Sequence, residues 1–353
     1  MMSEMIELKW HKLSTKKKKY LSTANSALLL QSIPMTKRRV KEFLNNIDCK
    51  TELLILGVVG QNDTFVPGME DSMQFRLATL DEVKQQLISL FKSNPKLKEQ
   101  LEKKIVLLDY SYEVGKYVIR ELKPKQIFWV NGSWRFSLHL RQEWWESYDL
   151  GVKIKRISPF ANDNEAKSRA KKITAENLNW LTKKWKVNLD SDFAVDELKE
   201  FVQDISKLSW DWTGQTGACL VHEISGKNQT NSDSKKSDDS SRFEVITWSH
   251  NVVVPFESYI MHKGALKELH RTPPGENIEL TQTNHAEVAA VLRAAEQGLN
   301  FENIDLVTSK FPCPVCARIL ADSPISRVYY SEGYSNGLGM MVLKGAGKSF
   351  LQI

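Results

Sequence analysis

Thr283-Asn284-His285-Ala286-Glu287-Val288 opens the stretch that decides the reading of this chain, and Phe311-Pro312-Cys313-Pro314-Val315-Cys316 closes it. Between them runs an apolar segment with helical spacing, Val-Ala-Ala-Val-Leu-Arg-Ala-Ala-Glu-Gln, which Gly298 ends. Thr283 or Asn284 caps that helix in this reading, so His285 and Glu287 fall in its first turn. Cys313 and Cys316 are three apart and share a face of a second helix, whose first turn accommodates Pro312 and Pro314. Helix N-termini lower thiol pKa values, which favours the thiolates. One imidazole and two thiolates suit a tetrahedral zinc ion with one position left open for water. Glu287 is a carboxylate beside that metal and outside its ligand count, the place for a proton shuttle.

His-x-Glu followed by Pro-Cys-x-x-Cys is the signature of the zinc deaminases of nucleobases. From about Asp196 to Ile353 the chain resembles the zinc-dependent cytidine and deoxycytidylate deaminase superfamily, closest in look to its tRNA adenosine and deoxycytidylate branch. Ser309-Lys310-Phe311 stands where that family more often has Leu-Ser or Leu-Glu before the proline. The resemblance implies a three-layer α/β/α domain with a mixed sheet of about five strands. It implies Zn2+ on His285, Cys313 and Cys316, and Glu287 as the catalytic acid and base. Water made acidic by the metal attacks an amidine carbon of the base, and Glu287 passes protons to the ring nitrogen and to the departing ammonia. Main-chain groups of Ala286 and Cys313 then hold the base edge, and Asn251 contacts sugar or ring. Trp248, Phe311, Tyr330 and Tyr334 are the aromatic residues available for stacking on a base.

At 353 residues the chain has room for two domains. No run of about 18 apolar residues exists, so no membrane span is expected. No secretory leader is read, and two of the four cysteines belong to the metal set. Cys49 and Cys219 stand alone, a pattern that fits a reducing, cytoplasmic location. The net charge of +6 is uneven, because residues 1–50 hold eleven Lys or Arg against four Asp or Glu. Lys16–Lys19 lie in a flexible basic arm, residues 1–30, suited to a polyanionic partner.

The first half reads as strand Glu52–Val59, helix Leu80–Phe91, strand Lys104–Asp109, helix Tyr112–Leu122, strand Gln126–Val130, helix Arg141–Tyr148 and strand Val152–Ile157, with Thr64–Val66 as a hairpin partner of the first. This order can be laid on the second half with a period of about two hundred residues. In that register Leu80 replaces the histidine, Tyr112 and Gly115 replace the cysteines, and only Glu82 survives. Residues 31–160 are therefore expected to be a degenerate, zinc-free deaminase-like domain. Residues 161–192 form a helical linker, residues 193–353 the catalytic domain, and the two domains a pseudo-dimer. The alternative is an unrelated Rossmann-like first domain, without the usual Gly-rich phosphate cradle. Gly226–Ser241 is a polar hairpin tip.

The leading function is zinc-dependent hydrolytic deamination of a base in nucleic acid, RNA or single-stranded DNA. The rival within the class is a deaminase of free nucleosides, nucleotides or bases. A nucleic-acid-binding protein with structural zinc is the rival from another class. Retention of Glu287 opposes it, because a structural site closes all four positions. A homo-oligomer is left open.

Overall fold

In the computed structural model, residues 6–30, 50–59, 79–110, 115–131, 142–186, 192–211, 214–224, 241–270, 280–334 and 337–353 are described, with Arg38 and Asn45. The chain divides into two units, Met1–Asp163 with Met261–Thr281, and Asn164–Ile260 with Gln282–Ile353.

Unit 1 begins with β1 (Ile6–Lys9), α1 (Thr15–Thr23), β2 (Ser26–Leu30) and β3 (Leu53–Val59). It continues with α2 (Leu80–Ser93), α3 (Pro95–Leu101), β4 (Ile105–Tyr110), α4 (Gly115–Leu122), β5 (Gln126–Val130), α5 (Gln142–Asp149) and β6 (Lys153–Ile157). The sheet order is β1-β4-β3-β2-β5-β6, and every described pairing in it is parallel. Leaving β1 aside, the order 3-2-1-4-5 is that of a doubly wound Rossmann-like sheet. Leu54, Leu56, Ile105, Leu107 and Phe128 pack with Val83, Leu87, Leu90 and Phe91 of α2. Ile55, Val106 and Leu108 point the other way and are buried too. Leu53-Leu54-Ile55-Leu56 thus has no polar side to offer solvent, the mark of a strand covered on both faces.

That topology corrects the duplicated-deaminase expectation for residues 31–160. A deaminase-type sheet starts with antiparallel neighbours, whereas here a buried apolar strand meets parallel neighbours on both sides. Two unlike sheets make no pseudo-dimer of matching domains. Glu82, the one apparent survivor of the active-site pattern, has a local cause. Its side chain accepts from Thr79 N at 2.8 Å while its own N–H donates to Thr79 Oγ1 at 3.3 Å. This capping box begins α2 and needs a Glu at that spacing. The expected hairpin partner Thr64–Val66, Tyr112 of the proposed register, and most of the polar run Gly226–Ser241 lie outside the described residues.

The basic arm is also corrected. Ser14 caps α1, Trp10 and Leu21 are buried, and β2 lies at the middle of the sheet. Lys18 pairs with Glu121 at 3.0 Å and lies 4.3 Å from the centre of the Trp10 ring. Folding costs backbone entropy on every residue, and the buried Trp10 and Leu21 offset it.

Unit 2 follows with α6 (Asp163–Trp185), β7 (Asp192–Ala194), α7 (Val195–Ser206), β8 (Gly217–Ile224), β9 (Arg242–His250) and β10 (Val252–Val253). α8 (Tyr259–Lys263) and α9 (Leu266–Leu269) carry the chain into unit 1, and unit 2 resumes with β11 (Thr283–Asn284), α10 (Ala286–Glu296), β12 (Ile304–Lys310), α11 (Pro314–Ala321), β13 (Arg327–Glu332), α12 (Leu338–Gly345) and β14 (Ser349–Gln352). The chain enters unit 1 and returns between β10 and β11, which pair antiparallel. The main sheet, β14-β13-β12-β8-β9-β7, is mixed. β8 runs antiparallel to β9 and β12, while β12, β13 and β14 run parallel, as expected for the last strand. Six strands form it instead of about five, the extra one being the short edge strand β7. α7 packs on one face through Leu198, Phe201, Val202 and Ile205, and α10 and α11 pack on the other through Ala286, Ala290, Ala317 and Leu320. Among the described residues no helix is long and apolar enough to cross a membrane.

Candidate metal centre and active site

Two helix N-termini meet on the α10 side of the second sheet. His285 is the N-cap of α10, one position before the first turn in which the sequence reading placed it. β11 delivers it from its pairing with β10. The alanines of α10 let that helix lie close on the sheet. Cys313 is the N-cap of α11, Pro314 the first helical residue and Cys316 the third, so neither thiol stands far from the helix start. Gly339 of α12 keeps this corner compact. A Cβ there would lie 2.6 Å from the Pro312 carbonyl oxygen.

His285 Nδ1, Cys313 Sγ and Cys316 Sγ form a small triangle. Its edges are 3.4 Å from Cys313 to His285, 3.3 Å from Cys316 to His285 and 3.6 Å between the sulfurs. Tetrahedral zinc with the usual bond lengths asks for about 3.6 Å between sulfur and nitrogen and about 3.8 Å between sulfurs. The donor set therefore fits zinc in element and in spacing, and it leaves the fourth position open. Among the described residues this is the group of three side chains that can hold a metal ion.

The electrostatics agree with a cation site. The hydrogen bond from Cys316, with help from His285, holds the Cys313 thiol down to about 4 against the effect of burial. The same bond, together with burial, pushes the Cys316 thiol up, so the pair shares one proton. A bound metal ion would take both sulfurs as thiolates. Contact with Cys313 pushes the His285 imidazole up against burial. Glu287, in the first turn of α10, is 3% exposed. Burial pushes its carboxyl up, opposed by His285. Glu287 Oε2 is buried with no hydrogen-bond partner among the described residues. An orphaned carboxylate oxygen beside a metal triangle is what a site waiting for water and substrate presents.

The other expected contacts are placed differently. The Asn251 side chain lies in the same corner, with Oδ1 accepting from Ala286 N at 2.9 Å and Nδ2 donating to the Gly214 carbonyl. It thus holds the start of α10. Trp248 packs 6.4 Å from Phe201, among the side chains beneath α7. A bulge explains this. Leu220 pairs with Thr247 but Val221 with Val245, so β9 carries one extra residue and its side-chain parity reverses. Simple alternation from Val245 puts Trp248 on the α10 side; with the bulge its ring meets Phe201, and the Arg293 guanidinium of α10 lies 5.7 Å from its centre. Phe311 is buried against Tyr330 and Phe350, at 4.8 and 5.5 Å. Tyr334 is 36% exposed, and its hydroxyl feels Cys313, Cys316 and Glu287, which help burial to push it up. Of the four aromatic candidates it is the exposed one that senses the triangle.

Sequence reading missed Ser209 and Asp211, both buried, in the connection from α7 to β8. Asp211 Oδ2 accepts from Thr283 Oγ1 at 2.7 Å, and Ser209 Oγ donates to the Asn251 carbonyl at 2.7 Å. Ser-Trp-Asp-Trp carried no spacing signal that ties it to a histidine 74 positions later.

Residues 198–332 match the family model described as the cytidine and deoxycytidylate deaminase zinc-binding region. This part of the chain is similar to that family's zinc-binding region. The deaminase region has curated relatives in the deoxycytidylate deaminases of Enterobacteria phages T2 and T4. Each is 40% identical over 50 residues, 14% of this chain and 27% or 26% of the relative. The chain thus spans about a quarter of the length of the curated relatives it matches. Among solved structures, the dCMP deaminase of cyanophage S-TIM5 with dCMP and dUMP is similar at 17% identity. The match covers 45% of this chain and 95% of that one, with a TM-score of 0.29. A structure from a study of A-to-I editing by tRNA:A34 deaminases matches at 15% identity, over 43% of this chain and 91% of that one, with a TM-score of 0.25. The family consists of zinc-dependent hydrolases acting on C–N bonds.

Proposed function

We propose that this chain hydrolyses the exocyclic amine from a nucleobase carried on a free nucleotide, cytosine in the first instance. The observation that carries the reading is the zinc-sized triangle of His285, Cys313 and Cys316 with the unpartnered Glu287 Oε2 beside it. His285 Nδ1 and the two sulfurs would hold the zinc ion. Its contribution is Lewis acidity that brings the pKa of water toward neutrality.

Glu287 does the proton work. Its carboxylate takes a proton from the attacking water as the new C–O bond forms at C4 of the base. It delivers that proton to the ring nitrogen, takes the second from the added oxygen, and gives it to the amine that leaves as ammonia. Water is consumed, and one C–N bond breaks for one C–O bond formed. A buried carboxyl with a raised pKa suits a group that must both accept and donate near neutral pH. The main chain of Cys313 faces the base edge in this scheme, while the Ala286 N–H is held by Asn251 Oδ1. Asn251 positions Ala286, and Tyr334 is exposed beside the charges of the site.

The named relatives that act on deoxycytidylate favour the nucleotide over the polymer. The polymer reading retains one observation. Lys16 and Lys19 are exposed on α1, on a first unit whose leading fifty residues are strongly basic. Ammonia release from zinc-loaded protein, across nucleosides, mononucleotides, RNA and single-stranded DNA at two salt concentrations, separates them. The proposal expects turnover of a mononucleotide that changes little with salt. Turnover confined to polymers and collapsing at higher salt, as counterion release predicts, would replace it with the second reading.

A further inference from the structure

The connection between α7 and β8 braces both sides of the metal corner. Its Gln215 Nε2 donates to the Ser209 carbonyl at 3.1 Å, and the Asp211 N–H donates to Ser209 Oγ at 3.1 Å. The Asn251 N–H in turn donates to the Thr216 carbonyl at 3.0 Å. One arm of the brace thus fixes Asn251, which holds the N–H of Ala286. The other arm is Asp211, whose Oδ2 takes the Thr283 hydroxyl at 2.7 Å, and both residues are buried. Thr283 lies two positions before His285 on a strand of two residues, so little else in that strand resists rotation of the histidine.

We infer that Asp211 is a positioning residue for the metal centre. It anchors β11 through Thr283 and keeps His285 Nδ1 at the right distance from the two sulfurs. The inference rests on the metal reading given above. Groups that orient a metal ligand from outside the first coordination sphere change metal affinity by about 10- to 100-fold when lost. A hydrogen bond to a buried carboxylate is of the stronger, charge-assisted kind. Metal sites tolerate about 0.2 Å of error in ligand distance, so a small relaxation of β11 is enough.

The test uses the full chain and zinc itself. Zinc dissociation constants are measured by chelator competition for the parent, Thr283→Val, Asp211→Asn and the surface control Asp192→Asn. The visible absorption of the cobalt-loaded forms is recorded beside them. Expected is a loss of about 10- to 100-fold in zinc affinity for Thr283→Val and Asp211→Asn. Their cobalt bands should shift, and the control should match the parent in both. Ile304→Val, a truncation of a buried residue at the start of β12, far in sequence from Ser209, Asp211 and Thr283, should lower the melting temperature and leave affinity and band unchanged. Thr283→Val removes one hydroxyl and keeps the shape, so it carries the test if Asp211→Asn does not fold. Parental affinity and an unshifted band in Thr283→Val overturn the inference. A parent that binds no zinc overturns the metal reading instead.

Discussion

Gly339→Ala tests how tightly the fold presses on the metal corner. The added Cβ would sit 2.6 Å from the Pro312 carbonyl oxygen, and ordinary contact begins at 3.4 Å, so one element must give by 0.8 Å. The same Cβ would be 3.5 Å from the Cys313 carbonyl carbon and 3.5 Å from Ala317 Cβ, so α11 is the neighbour that must move. Overpacking of this kind costs about 1–3 kcal/mol. Ala for Gly inside a helix returns up to about 1 kcal/mol. The contact is with main chain and cannot be relieved by a rotamer change, so a net loss of about 1–2 kcal/mol is expected. For a unit of this size that lowers the melting temperature by about 2–8 °C. Zinc affinity should fall as well, because the required shift exceeds the roughly 0.2 Å a metal site absorbs. Gly345→Ala is the internal control, since a Cβ there meets nothing within 4 Å on the same helix. Thermal unfolding and chelator competition on both variants decide the matter. A Gly339→Ala protein with parental melting temperature and zinc affinity would refute the packing argument.

Two further substitutions probe the frame of unit 2. Gly217→Ala would set a Cβ 2.2 Å from the Val202 carbonyl oxygen and 2.7 Å from Ser206 N, main chain on both counts. It should cost about 3 kcal/mol or more, read as a large drop in thermal unfolding temperature. Asp204 is buried, which alone would raise its pKa, yet its bonds to Lys184 at 2.5 Å, Lys207 at 2.8 Å and Trp185 Nε1 at 2.8 Å hold it below the usual Asp value. A depressed carboxylate pKa contributes stability above its unfolded value, near 3.8, and loses it as pH falls through the folded value. Asp204→Asn should therefore lose about 1–3 kcal/mol at neutral pH. The gap from the parent, followed by urea melts from pH 7 downward, should stay level to about pH 4 and then narrow. A gap that widens toward acid would contradict the assignment.

What could be read from sequence was local. His285, Glu287, Cys313 and Cys316 announce their chemistry by residue type and spacing, and the helices between them follow from apolar periodicity. From Leu53 on, strand and helix positions in unit 1 were legible for the same reason, yet their pairing was not, and β1, α1 and β2 were read as a flexible arm. Leu53–Val59 gives the same apolar run whether its neighbours are parallel or not, and Glu82 serves a capping box as well as it would an active site. The packing of Trp248 against Phe201 was not legible because one extra residue in β9 reverses parity, and no side chain there marks the bulge. Asp211 and Ser209 escaped notice because their partners, Thr283 and Asn251, are 72 and 42 residues away. The Met261–Thr281 excursion into unit 1 is likewise a matter of long-range packing.

The central claim is that zinc on His285, Cys313 and Cys316 works with Glu287 to deaminate a base. Ammonia release from dCMP by zinc-loaded parent and Glu287→Gln, with zinc content determined on the same samples, tests it most directly. The account predicts release by the parent, and stoichiometric zinc with turnover reduced by several orders of magnitude in the variant. Parental turnover in Glu287→Gln at full zinc occupancy would contradict it.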